Sequence, residues 1–132
     1  MTFLIIIARA AGFCGVLGII ILSLVPGVDR PHTGMPGEIE HFIAYGLTAS
    51  ALALGFRPLV FRVVLAIGLS LLAGSMEIFQ SWVPGRHPAI TDAIVSSLGG
   101  LLGLAIGGLL FELVTHASKK RRPLGESPGP VQ

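Results

Sequence analysis

Four apolar segments follow one another along this chain with only short breaks between them. They run from about Phe3 to Val25, Glu38 to Phe56, Leu59 to Trp82 and Thr91 to Val114. Each is close to the roughly 20 residues a helix needs to cross the hydrocarbon core of a bilayer. In that solvent every backbone N–H and C=O must pair within its own segment, so each segment is expected to be a helix. Composition points the same way. Hydrophobic residues make up 52% of the chain without counting its 18 glycines, and charged residues only 12%, about half the ~25% usual in soluble domains. A soluble fold of 132 residues leaves too much of its surface wet to hide that much apolar area.

The breaks are loops by composition. VPGVDRPHTGMPG, residues 25–37, carries three prolines and three glycines, and VPGRHPAIT, residues 83–91, is also rich in Pro and Gly. Arg57 and Pro58 form a very short link between the second and third segments. The first segment lacks a basic start and is too long for the apolar region of a signal peptide, so it reads as a retained span. Within it Ala8, Ala11, Gly12, Gly15 and Gly18 form a small-residue stripe, as do Ser96, Gly99, Gly100, Gly103 and Gly107 in the fourth. Such stripes suit close helix packing in lipid. Cys14 is the only cysteine, so no internal disulfide forms, and its apolar setting predicts a packing role.

Basic residues set the expected topology. With Arg57, Arg62 and the run Lys119–Arg122 placed in the cytoplasm, the opposite loops keep only Arg30 and Arg86. The sequence therefore predicts an all-α polytopic membrane protein, a four-transmembrane-helix bundle with both termini cytoplasmic. Residues 1–116 form one membrane domain, and residues 117–132, basic and proline-bearing, form a disordered cytoplasmic tail.

The polar residues that such a fold tolerates least lie near the outward ends. Glu77 is inside the third segment, short of Trp82. A carboxylate facing lipid at mid-membrane costs about 2.5–3.5 kcal/mol on insertion scales, and the C-terminal end of a helix disfavours negative charge. Glu77 must therefore be protonated, paired or in a wet cavity. Asp92 opens the fourth segment, with Thr91 as its expected N-cap. The loop that joins these two segments makes them antiparallel neighbours and brings Glu77, Gln80, Arg86 and Asp92 close together. On the second segment, Glu38, His41, Tyr45 and Thr48 share one helical face, which brings His41 to the same depth if that helix packs alongside.

The expected result is an outward-facing polar pocket with Arg86, Gln80, Tyr45, Glu77, Asp92 and His41 as its ligand-binding set. Arg86 is suited to a phosphate or carboxylate. Glu77, His41 and Asp92 are the candidates for any acid–base catalysis. The same groups also suit a polar network that fixes helix packing. No HExxH, Gly-x-Ser-x-Gly or phosphate-loop pattern is present, so no metal site and no cofactor are expected. Nothing beyond the basic tail favours nucleic acid.

EHFIAYGL at 40–47 and EIFQSWVPGRHPAITDAIVSSLGG at 77–100 resemble the VanZ-like family. Its pattern has an HFxxY block in one span, then E-x-x-Q, P-G-R, an Asp and a glycine-bearing last span. The likeness covers about Val25 to Gly107. Two positions depart from it: Glu38 stands where the family usually has Lys, and Ser96 where it often has Asn. The resemblance implies a multi-pass protein of the bacterial cytoplasmic (inner) membrane. It also implies a cell-envelope role linked to antibiotic resistance of the teicoplanin (glycopeptide) type, and it names no reaction. Three uses stay open: binding a lipid-linked or anionic headgroup; a scaffold or membrane-partner role, homo-oligomers included; and hydrolase or transferase chemistry on a lipid-linked envelope precursor.

Overall fold

The computed structural model of the chain describes residues 2–29, 31 and 34–120, with backbone alone at 118–120. Four helices occupy it: α1 (Thr2–Leu24), α2 (Gly37–Gly55), α3 (Leu59–Gln80) and α4 (Ile90–Lys120). No strand occurs among the described residues. Three helices, α1, α3 and α4, are long and apolar enough to cross a membrane. Their outer faces agree with that. Leu17 and Ile21 on α1, Ile67 and Leu71 on α3, and Leu98 and Leu109 on α4 are all exposed. Water would not tolerate so continuous an apolar surface, whereas lipid covers it without cost. The protein is a membrane-spanning one.

The packing order is α1–α2–α4–α3. Helix α2 lies between α1 and α4, α3 leans on α4, and α2 and α3 scarcely meet although only residues 56–58 join them. The α2–α4 contact is the most extensive, and its residues explain why. Gly99, Gly103 and Gly107 of α4 face Phe42, Gly46 and Ser50 of α2 so closely that a Cβ on each would collide with a backbone carbonyl opposite. The partner positions climb together along both helices, so α2 and α4 run parallel. Ser50 Oγ bridges the seam, contacting Gly46 O at 2.9 Å and Gly103 O at 3.0 Å. The expected α4 stripe is thus a backbone-to-backbone contact.

The α1 stripe works in part. Gly12 packs on Leu52 and Gly15 on Thr48, but Gly18 has open space beside it. Cys14 differs from its expected packing role: it is free and exposed, because the face of α1 that meets α2 is the one carrying Gly12, Gly15 and Ile19. The core joins Ile19, Tyr45, Ala49, Leu52, Leu69, Ala73 and Leu104.

Arginines hold the end opposite the long loops. Arg9 Nε donates to Gly55 O at 2.9 Å, and its guanidinium lies 4.7 Å from the Phe56 ring centroid. The cation thus meets the negative end of the α2 dipole. Arg57 lies 4.5 Å from the Phe111 ring centroid, and Arg62 packs over Gly108. Helix α4 continues to Lys120, past the boundary at 117 expected for the tail. No Gly or Pro interrupts it before Pro123, and cations suit a helix C-terminus. The rest of the expected tail, 121–132, lies outside the described residues, as does Arg30.

At the other end the two long loops interlock. Val25-Pro26-Gly27 and Val83-Pro84-Gly85 are the same tripeptide. Gly27 N donates to Pro84 O at 3.0 Å, and a Cβ on Gly27 would strike the Gly85 carbonyl. Gly85 has φ +73°, a conformation a side chain disfavours.

The α2–α4 seam gives a first prediction. Gly103→Ala should destabilise the bundle by about 1–3 kcal/mol, the usual range for overpacking. Gly74→Ala, with nothing within 4 Å of the new Cβ, should be neutral or stabilising. Thermal unfolding in detergent compares the two; equal melting temperatures would contradict the seam.

Candidate functional site

The α2–α4 seam sets what happens at the end of the bundle that carries the two long loops. On α4 the stripe that carries Gly99 and Gly103 continues back through Ser96 to Asp92 at helical spacing. On α2 the facing residue is His41. Ser96 is 1% exposed, and its Oγ lies 3.4 Å from His41 Nδ1. Glu77 reaches the same place from α3. One ligating atom from each of His41, Glu77 and Asp92 falls within 4.8 Å of the others, and all three residues are half-buried.

Glu77 answers its own difficulty with the dipole. Its Oε2 accepts the N–H of Ala89 at 2.8 Å, the amide just ahead of the first residue of α4. The carboxylate that is unfavourably placed on α3 therefore meets the positive end of α4. Asp92 N in turn donates to Ala89 O at 2.9 Å. Helix α4 begins at Ile90, so Thr91 lies inside the first turn and differs from its expected N-cap place. The residue whose carbonyl opens the helix is Ala89, and α3 supplies the acceptor for its amide.

Arg86 has a definite structural anchor. Its Nε donates to Val25 O at 3.1 Å and its Nη2 donates to Leu22 O. These are carbonyls from the last turn of α1 and just beyond it, the negative end of that helix. Arg86 thus ties the loop after α3 to α1 and also lines a cavity of about 470 Å³ between α1 and α2. Most of that cavity is apolar: Gly18, Ile19, Leu22, Ala44 and Leu47 form its walls. Glu40, His41, Tyr45 and Arg86 supply polar groups. Its room comes from the open space beside Gly18.

The remaining expected residues divide. Tyr45 is 3% exposed and both lines the cavity and belongs to the core. Gln80, also 3% exposed, keeps its Nε2 buried without a hydrogen-bond partner. Glu38 is exposed at the start of α2, where it complements the helix dipole. His87 is exposed too. Sequence reasoning passed over Ser96 as a site residue and Gly18 as a cavity wall. The first is legible from its place one turn after Asp92; the second has no signal in the sequence, since it depends on what α2 leaves unfilled.

A family model described as VanZ/LLP1 matches residues 18–111. The chain belongs to the VanZ/LLP1 family. The match takes in α2, α3 and the loop with Arg86, so every residue of the His41–Glu77–Asp92 group lies inside it. No curated protein and no solved structure matches the chain.

Glu77 yields the prediction for this arrangement. Glu77→Ala strands the half-buried Ala89 amide and should cost about 1 kcal/mol, the low end of the penalty for an unsatisfied donor. Glu77→Gln keeps an acceptor oxygen and should cost markedly less. Thermal unfolding of both variants checks this; equal losses would mean that the Ala89 bond is not what Glu77 contributes to the fold.

Proposed function

We propose that this VanZ-family protein binds an amphiphile of the bacterial envelope, a lipid with an anionic or lipid-linked headgroup, in the α1–α2 cavity. The observation that carries the reading is the cavity's composition. It is apolar along the helices, as an acyl chain requires, and it has a cation, Arg86, with His41 and Tyr45 among its polar groups. Pockets of this kind, mostly apolar with a few placed polar groups, are the usual form of small-ligand sites.

In this reading α2 is the fourth crossing, both termini are cytoplasmic, and the cavity opens toward the outer leaflet of the inner membrane. The positive-inside rule supports that orientation through Arg57, Arg62 and Lys119–Arg122. Arg86, already held against α1, presents its cationic head to the anion at little entropic cost. His41 lines the cavity and links it to the carboxylates of Glu77 and Asp92. A role in glycopeptide resistance follows if the bound headgroup belongs to a cell-wall precursor.

A scaffold role is the second reading. The hydrogen bonds of Arg86 to α1 and of Glu77 to Ala89 favour it, because both hold elements together whether or not a ligand binds.

Mass spectrometry of co-purifying lipids separates the two. Gly18→Leu fills the cavity from a position that meets nothing within 4 Å, so the fold should survive it. The binding reading expects an anionic lipid retained by the parent and reduced about tenfold, equivalent to 1.4 kcal/mol, in Gly18→Leu and in Arg86→Gln. The same lipid profile in all three proteins would reject it and leave the scaffold.

A further inference from the structure

From the placement of His41, Glu77 and Asp92, we propose a divalent cation site, with zinc as the ion its donor set fits, at the outer end of the α2–α4 seam.

The three residues come from three different helices, yet their ligating atoms fall within 4.8 Å of one another. Donors bound to a single Zn2+ at about 2.0–2.2 Å lie roughly 3.3–3.6 Å apart in tetrahedral geometry. Closing the difference takes about 1.2–1.5 Å, to be met by rotation of Asp92 and by the Glu77 oxygen that Ala89 does not hold. One imidazole and two carboxylates form a set that zinc accepts, with a position left for water or a ligand.

Charge argues for a cation as well. Two carboxylates so close together, at the edge of a low-dielectric region, repel one another strongly. Arg86, anchored on the carbonyls of Leu22 and Val25, and His41 both lie near enough to Glu77 to offset part of that charge. A divalent ion balances the two carboxylates and leaves His41 neutral, the form that ligates metal.

The surroundings resemble a supporting shell. Ser96, buried at 1% exposure, places its hydroxyl 3.4 Å from His41 Nδ1. Ala89 N–H fixes one oxygen of Glu77. Metal ligands are oriented by partners of this kind. One turn from Glu77, Gln80 keeps an amide N–H buried without a partner. His41 belongs both to this cluster and to the cavity lining, so the ion would border the proposed headgroup site. The site stands on its own donors, and its test needs no lipid.

Full-length protein in a non-chelating detergent, stripped with EDTA, is titrated calorimetrically with zinc chloride. The expected result is one Zn2+ per chain, with affinity lowered about tenfold or more in Glu77→Gln, Asp92→Asn and His41→Gln. The exposed histidines serve as controls, and His87→Gln and His116→Gln should bind as the parent does. No saturable binding overturns the proposal. So does binding that survives Glu77→Gln and Asp92→Asn, which would mark the carboxylates as sharing a proton only. If those variants fail to fold, the Co2+ absorption spectrum of the parent decides. An intense visible band of tetrahedral N/O ligation supports the site, and the weak spectrum of the aqueous ion rejects it.

Discussion

Backbone-to-backbone contact between α2 and α4 is the constraint on which the rest of this molecule depends. In lipid there is no hydrophobic force to press helices together, so association comes from close packing and from polar contacts across the seam. Gly99, Gly103 and Gly107 let α4 approach α2 until carbonyl oxygens fill the space a side chain would take. Ser50 adds a hydrogen bond across the same line. Because the two helices run parallel, their N-terminal ends coincide, and that coincidence brings His41 beside Ser96 and Asp92.

Electrostatics then organises the long-loop end of the bundle around helix termini. Glu77 of α3 faces the N-terminal end of α4 through Ala89, and Arg86 faces the C-terminal end of α1 through Leu22 and Val25. Arg9 does the same for α2 at the opposite side of the bundle. Glu77, Arg86 and Arg9 are thus each matched to a helix terminus of opposite sign on a neighbouring helix. The paired Val-Pro-Gly turns lock the two long loops together over this end. What α2 leaves unfilled against α1 is a cavity that is apolar along its length and shares His41 with the carboxylate cluster. Packing, charge and cavity therefore meet at one residue.

Much of this is legible in the chain itself. The length and apolarity of the segments announce helices for lipid, and the spacing of glycines in α4 announces a close contact. The order Glu77, Gln80, Arg86, Asp92 across a tight loop forces those residues to one end. Other features were hidden because they depend on which helices touch. The three-residue link after α2 suggests that α3 is its neighbour, yet α4 takes that place through its glycine stripe. A ligand-like group drawn from three helices leaves no local spacing such as HExxH, so no metal was expected from the sequence. The anchoring of Arg86 on α1 carbonyls was equally invisible, since those acceptors carry no sequence signature.

Thiol crosslinking in native membranes tests the α2–α4 pairing most directly. With the single native cysteine removed by Cys14→Ser, cysteines at His41 and Ser96 should join under mild oxidation or through a short bis-thiol reagent. The product should migrate as a monomer, because both positions belong to one chain. Thiols that stay free until the protein is denatured, or that link only between chains, would mean that α2 does not lie on α4 at this depth.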